Sequence, residues 1–251
     1  MLKVNNLSAG YGKNTIIHDI SFSLAKNSVV SIIGKNGSGK STLLKAITNL
    51  IDISDGNVLV DDTDIKTLKR NDLAKKISYL AQIRNIPDMT VEQLVLHGRF
   101  PYLSYYGKYS KSDIEVAHNM ISKMGISDLM NRPLKSLSGG QIQKAYIAFS
   151  LTQNTDYILF DEPTTFLDTS YQISLMKSLN DLAKEGKGVL AVMHDLPLAF
   201  NFSDFIMVID NGRLVAFDTP ENIIKNDIVF ELFGVKINKN DNGIYYTLLE
   251  K

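Results

Sequence analysis

Apolar positions along this chain fall into two registers. At Leu2-Lys3-Val4-Asn5-Asn6-Leu7 and Ser21-Phe22-Ser23-Leu24 apolar and polar residues alternate, the period of a half-buried strand. Ser28-Val29-Val30-Ser31-Ile32-Ile33, Tyr157-Ile158-Leu159-Phe160 and Gly188-Val189-Leu190-Ala191-Val192 are nearly continuous, as strands buried on both faces are. Asn57 to Val60 and Ile77 to Leu80 add two strands flanking a polar helix around Asn71 to Lys76. Helical spacing begins at Leu43-Leu44-Lys45-Ala46-Ile47. From Met89 to Gln153 strand signals vanish. There Thr90-Val91-Glu92-Gln93 and Ser112-Asp113-Ile114-Glu115 each match a capping box, and Ile114, Ala117, Ile121 and Met124 fall on one helical stripe. Further helices are predicted from about Ile142 to Leu151, and from Thr169 to Glu185 with Ile173, Met176 and Leu179 on one face. Phe205 to Asp210 and Arg213 to Phe217 form a hairpin about Asn211-Gly212, and Thr219-Pro220-Glu221 opens a helix with a cap and a first-turn proline. The tail from Val235, with its Asp241-Asn242-Gly243 turn, reads as a closing hairpin. The pattern is that of an α/β chain carrying an all-helical insertion. It contains no repeat and no low-complexity linker.

Composition narrows this picture. At 251 residues the chain is long enough for a substantial core. Lys+Arg and Asp+Glu balance at 27 each, so no global basic field draws it to nucleic acid or anionic lipid. The basic run Lys66, Lys69, Arg70, Lys75 and Lys76, interleaved with Asp64 and Asp72, reads as a solvated face. With no cysteine there are no disulfides or thiolate metal sites. The N-terminus lacks the apolar core of a signal peptide, and no apolar run approaches the ~18 residues of a spanning helix. A soluble or peripheral chain is expected, with other chains crossing any membrane it serves.

The candidate chemistry gathers at strand ends. Gly34-Lys35-Asn36-Gly37-Ser38-Gly39-Lys40-Ser41-Thr42 follows a buried strand and opens a helix, the setting of a phosphate-binding P-loop. Its glycines let backbone N–H groups face phosphate oxygens, Lys40 can reach the β- and γ-phosphates, and the Ser41 hydroxyl can ligate Mg²⁺. Tyr11 is either an adenine-stacking aromatic or an ordinary loop residue. Gln82, leaving a strand, can reach the metal or the attacking water. Leu137-Ser138-Gly139-Gly140-Gln141 places a serine and two glycines at a second helix N-terminus, a second phosphate-binding surface. One chain with two such surfaces invites a head-to-tail pair. Asp161 and Glu162 leave the carboxyl end of a buried strand, where ligands of open α/β sheets bind. Asp161 is expected to hold Mg²⁺ and Glu162 to act as general base, against the alternative of two carboxylates capping a helix. His194 emerges at the same sheet edge and can sense the γ-phosphate. Pro101-Tyr102-Leu103-Ser104-Tyr105-Tyr106 is an aromatic loop that either packs inward or forms a partner patch.

Taken in order and spacing, these stretches resemble the nucleotide-binding subunit of an ABC transporter over essentially the whole chain. The resemblance covers the aromatic-loop residue Tyr11, Walker A at Gly34 to Thr42, the Q-loop Gln82, the signature Leu137 to Gln141, Walker B with Asp161 and Glu162, the D-loop Asp168 and the switch His194. It implies a P-loop NTPase (RecA-like) cassette spanning 1–251, with an antiparallel β-subdomain and an all-helical subdomain at about 88–153. It further implies ATP and Mg²⁺ as ligands and a dimer of cassettes, with each ATP held between one Walker A and the other copy's signature. The expected setting is the cytoplasmic face of the cell membrane, peripheral, working with permease subunits and an extracytoplasmic substrate-binding protein, and without nucleic acid. His97-Gly98-Arg99-Phe100-Pro101 and Thr164-Thr165-Phe166-Leu167-Asp168 resemble the importers of chelated iron and cobalamin within that family. Two positions depart from the family pattern: Lys35 replaces a frequent proline and Lys144 a frequent arginine. An exporter's ATPase, a soluble ABC protein acting on ribosomes or DNA, and a P-loop kinase are the rival readings. The first is commonly fused to spanning helices, the second usually carries two cassettes or a long coiled coil, and the third would leave the signature and His194 idle.

Overall fold

The strand Ser28–Ile33 (β3) organises the molecule, because its two faces enter two different cores. The computed structural model of the chain describes residues 1–82, 85–103, 107–240 and 243–248. In β3 every residue is buried. Val29 and Ile33 face one apolar cluster, Val30 and Ile32 the other. All four are at most 1% exposed, and each such side chain contributes about 1.5–3 kcal/mol of burial.

The second of those clusters is roofed by an antiparallel sheet. Leu2–Tyr11 (β1) pairs with Asn14–Leu24 (β2) on one side and Ile53–Val60 (β4) on the other, and Thr63–Asp64 (β5) closes the order β2-β1-β4-β5. Its alternation works as expected: Val4 lies opposite both Phe22 and Val58, and all three are buried. Between this sheet and β3 lies the helix Lys40–Ile47 (α1), which begins at Lys40, three residues earlier than its apolar run.

The second sheet is mostly parallel. Ile77–Leu80 (β6), Tyr157–Asp161 (β7), Gly188–Val192 (β8), Phe205–Asp210 (β9) and Arg213–Asp218 (β10) combine with β3 in the order β10-β9-β3-β8-β7-β6. Only the β9–β10 pair in it is antiparallel, joined through Asn211 and Gly212 at φ 45° and 74°, as a primed two-residue turn requires. Consequently the loops after β3, β8, β7 and β6 leave one carboxyl edge side by side. That edge receives the P-loop, His194, Asp161-Glu162 and Gln82.

The other face of this sheet is covered by helices. Arg70–Ala74 (α2), which precedes β6, is the exception: its Leu73 packs into the cluster on the α1 side. Val91–His97 (α3), Lys111–Lys123 (α4) and Gly139–Thr152 (α5) follow β6, with one isolated bridge, Thr90 to Pro133, among the described residues there. Thr90 and Gln93 form the expected capping box. The α4 box is made by Ser110 with Asp113 instead of by Ser112, because the helix starts at Lys111 and leaves Ser112 inside its first turn. Ile114, in the first turn, is 37% exposed, while Ala117, Ile121 and Met124 are buried. Thr169–Lys184 (α6), Leu196–Phe202 (α7), Pro220–Lys225 (α8) and Ile228–Phe233 (α9) complete the layer. Val235–Asn240 (β11) and Gly243–Leu248 (β12) form the closing hairpin, held to α7 by Asn201, whose amide donates to the Ile244 carbonyl and accepts from its N–H, both at 3.0 Å. The Asp241-Asn242 turn and Ser104, Tyr105 and Tyr106 of the aromatic loop lie outside the described residues. Among the described residues no helix is long and apolar enough to cross a membrane.

Candidate functional site

The P-loop starts where β3 runs out of neighbours to pair with. Gly39 takes φ 101° at the N-cap of α1, a left-handed conformation in which a side chain would also meet Ile17 at 2.8 Å. The loop therefore closes tightly under β2. Lys40 is buried, and its ammonium donates to the carbonyls of Gly34 and Lys35, both at 2.8 Å. Burial pulls its pKa down, opposed by the charges of Glu162 and Asp161. Lys35 itself is exposed. The Ser38 hydroxyl is buried without a hydrogen-bond partner among the described residues, a polar atom inside the loop with capacity to spare. Above the loop lies an open cavity of about 280 Å³ lined by Tyr11, Ile16, Gly37, Lys40, Ser41 and Glu162 among others. Tyr11 is the last residue of β1 instead of a loop residue, 47% exposed, with the Lys45 ammonium 3.2 Å from its hydroxyl and 5.6 Å from its ring centre.

Asp161 is the last residue of β7 and is 4% exposed. Ser41 Oγ donates to its Oδ1 at 3.0 Å and Tyr79 Oη to its Oδ2 at 3.3 Å. Burial pushes its carboxyl up from the usual range, and the Ser41 hydroxyl works against that shift. Burial and the Asp161 charge likewise push the Tyr79 phenol far up, so it stays a donor. No ion pair among the described residues involves Asp161. A buried carboxylate with hydroxyl neighbours and no cation suits a hard divalent ion. Mg²⁺ takes one or two carboxylates and completes its shell with phosphate oxygens and water, so the hydrogen-bonded pair Asp161 and Ser41 fits it, whereas Gln82 is bonded to Glu162.

Glu162 follows at φ 58°, a left-handed turn that is costly for a non-glycine residue and throws its side chain away from that of Asp161. Three side chains converge on its carboxylate. Gln82 Nε2 donates to Oε2 at 3.1 Å, Thr165 Oγ1 donates to the same oxygen at 3.4 Å, and His194 Nε2 lies 2.7 Å from Oε1. The histidine must carry its proton on Nε2 to make that contact. Gln82 lies two residues beyond β6, which ends at Leu80, and this extra reach lets it cross to Glu162.

The stretch 137–141 is placed elsewhere. Ser138 caps α5, accepting from the Gln141 N–H at 3.3 Å while Gln141 Oε1 accepts from the Ser138 N–H at 3.0 Å. The helix thus starts at Gly139, not near Ile142, with Ser138 and Gly139 exposed. No hydrogen bond or ion pair among the described residues joins Leu137, Ser138, Gly139, Gly140 or Gln141 to the P-loop. Asp168 caps α6, accepting from Tyr171 N–H at 2.9 Å and Ser170 Oγ at 2.7 Å, contacts that lower its carboxyl pKa. Lys144 sits 3.4 Å from the centre of the Tyr171 ring, a cation–π contact.

Sequence reasoning brought Lys40, Ser41, Gln82, Asp161, Glu162 and His194 to one edge, where they are. It missed Thr165, Tyr79 and Lys45. For Tyr79 a signal was present: it shares the α1-facing side of β6 with Ile77, one strand away from Asp161.

Comparison with known proteins fits this geometry. The chain matches the family model described as ABC transporter over residues 17–165. It is 36% identical over 250 residues to the "Probable siderophore transport system ATP-binding protein YusV" of Bacillus subtilis (strain 168), covering 99% of this chain and 91% of that protein. It is 35% identical to the ferric enterobactin transport ATP-binding protein FepC of Escherichia coli (strain K12), covering 99% and 92%. A bacterial ABC transporter cassette solved as a dimer superposes with a TM-score of 0.78 at 28% identity, over 88% of this chain and 99% of that one. With a P-loop, a second glycine-bearing helix N-terminus and a strand-end carboxylate pair in that family's order, the chain belongs to the ABC transporter family, as one of its ATP-binding ATPase cassettes.

Proposed function

We propose that two copies of this chain bind two ATP molecules head to tail and hydrolyse them to drive import of chelated iron through a separate permease. The observation that carries the hydrolytic part is the convergence of Gln82, Thr165 and His194 on Glu162, beside the Ser41–Asp161 pair. A carboxylate held from three directions at the mouth of a P-loop supports a general-base role toward an attacking water. Such a base contributes roughly 10²–10⁴-fold, or about 3–5 kcal/mol of barrier.

In this reading Gly34 to Thr42 wrap the triphosphate and Lys40 turns from its own loop carbonyls to the β- and γ-phosphates. Ser41, Asp161 and Gln82 would hold Mg²⁺, which when bound would offset negative charge on the phosphates. Tyr11 stacks on the adenine. Glu162 orients and deprotonates the water, and His194 donates to Glu162 or to the γ-phosphate. The partner copy presents Leu137 to Gln141, whose helix N-terminus faces the same phosphates, and Asp168 beside them. The ligand class comes from the relatives: of those named above, one is described for siderophore transport and the other for ferric enterobactin transport. An extracytoplasmic binding protein delivers the ligand, and the cassette sits peripherally on the cytoplasmic face of the membrane.

The test is ATPase activity of the chain alone, then reconstituted with its permease and binding protein, with ferric siderophore loaded or absent. Stimulation by the loaded binding protein is expected. Activity indifferent to permease but raised by ribosomes or DNA would overturn the import reading.

A further inference from the structure

The fold gives the Tyr11 ring little to rest on. Tyr11 ends β1 at a two-residue turn, opposite Asn14, the first residue of β2. The pairing leading to it is irregular, with register shifts at Ala9 and Gly10. Its ring is half-exposed, and no aromatic pair among the described residues includes it. A side chain at a hairpin tip has several rotamers open to it, and a ligand that stacks on the ring must pay for choosing one.

One polar contact makes that choice in advance. The Tyr11 hydroxyl accepts from the Lys45 ammonium at 3.2 Å, the only hydrogen bond of that side chain among the described residues. The same ammonium lies 5.6 Å from the ring centre. The difference between the two distances nearly equals the span from ring centre to phenol oxygen. The ammonium therefore sits beyond the hydroxyl edge instead of above a face, so the lysine pins the tip and covers neither face. Lys45 is half-buried on α1, one turn beyond Ser41. The cavity above the P-loop is lined by Tyr11 at one side and by Lys40 and Ser41 at the other. One helix thus fixes both the phosphate end of that cavity and, through Lys45, its aromatic end.

We propose that Lys45 is a positioning residue for Tyr11: it holds the ring by its edge, so that a nucleotide base stacks on a face already set at a fixed distance from the P-loop, and it does not itself touch the nucleotide. This rests on the reading of Tyr11 as the stacking residue. Stacking uses the π-face that every base has, so ATP and GTP should depend on the pair alike.

The experiment is equilibrium binding of ATP, GTP and inorganic tripolyphosphate, which has the phosphates and no base, measured by calorimetry in EDTA. The proteins are wild type, Tyr11→Phe, Lys45→Met and the double variant. Each single change should weaken ATP and GTP by about twofold to fivefold, the scale of ordering one side chain. The double variant should bind no worse than Lys45→Met alone, and Lys45→Arg should restore binding. Tripolyphosphate should be indifferent to Tyr11→Phe and lose less than ATP does in Lys45→Met. A tripolyphosphate loss in Lys45→Met as large as that of ATP would put the ammonium on the phosphates and overturn the proposal. Losses that add in the double variant would show two independent contacts, with the same result. Tyr11→Phe removes only a hydroxyl from a half-exposed ring, so it still decides the matter if Lys45→Met does not fold: wild-type ATP affinity there would show the tether idle. Tyr11→Ala separates the two failures. If it too binds ATP like wild type, the stacking reading itself fails and the proposal falls with it; if it binds more weakly while Tyr11→Phe does not, stacking stands and only the role of Lys45 is lost.

Discussion

Glu162 is defined more by what surrounds it than by its own chemistry. Glu162→Gln keeps the side chain's shape but cannot accept a proton. ATPase activity of the pair should fall roughly 10²–10⁴-fold while ATP affinity stays within a few-fold, measured by phosphate release and calorimetry. Near-wild-type turnover would remove Glu162 from the role of base. Tyr11→Ala tests a weaker interaction: stacking is worth ~0.5–1.5 kcal/mol, so ATP binding should weaken by about threefold to tenfold with turnover at saturation little changed. The carboxylates, the lysine and the histidine were legible because each sits at the end of an apolar run, and the run itself says where the chain emerges. Thr165 was not, because its use depends on the left-handed turn at Glu162, which folds the following residues back over the carboxylate.

Among the elements, the run His97-Gly98-Arg99-Phe100-Pro101 acquires a physical explanation. His97 Nδ1 lies 2.6 Å from the Gln93 carbonyl, one turn back in α3. A side chain at Gly98 would come within 2.5 Å of the Phe149 carbonyl of α5, so α3 and α5 touch backbone to backbone there. Arg99 stacks 3.9 Å from the Tyr102 ring centre, pairs with Asp113 at 2.9 Å and caps α5 through the Thr152 carbonyl at 3.2 Å. Gly98→Ala should therefore force the helices apart and cost about 1–3 kcal/mol, read as a lower Tm. The Ser110 hydroxyl, and after it Arg99, hold the Asp113 carboxyl below the usual range despite its burial. A depressed carboxylate pKa stabilises the fold above its unfolded value of about 3.9 and is lost as pH falls through the lower folded value. Tm should accordingly drop on acidification below about pH 4. Asp113→Asn should be less stable than wild type at pH 7 and show a shallower acid limb. Element types followed from periodicity, whereas boundaries at α1, α4 and α5 shifted by two or three residues. Capping serines sit outside the apolar period that announces a helix, and at α4 two serines competed for the role.

At the scale of the whole molecule, Ser138 and Gly139 are exposed and the stretch Leu137 to Gln141 makes no hydrogen bond or ion pair with the P-loop among the described residues, and the proposed reading completes the site with a second copy. In ATP and Mg²⁺, the Glu162→Gln chain should double its mass by light scattering. Gly139→Asp should prevent this while leaving nucleotide binding to the monomer: an acidic residue suits a helix N-terminus but repels a triphosphate. The motif order was readable along the sequence. The strand order β10-β9-β3-β8-β7-β6 was not, because continuous apolar strands of similar length have no local mark of their neighbours.

Lys40 serves as ligand to its own loop. Its ammonium spans the carbonyls of Gly34 and Lys35, two hydrogen bonds that tie the loop back on itself. Arrival of a triphosphate is then an exchange of partners: hydrogen bonds formed to the phosphates are offset by those surrendered at the carbonyls. The net heat of binding should be smaller than the phosphate hydrogen bonds alone imply, and the entropic penalty smaller too, because little chain is left to order.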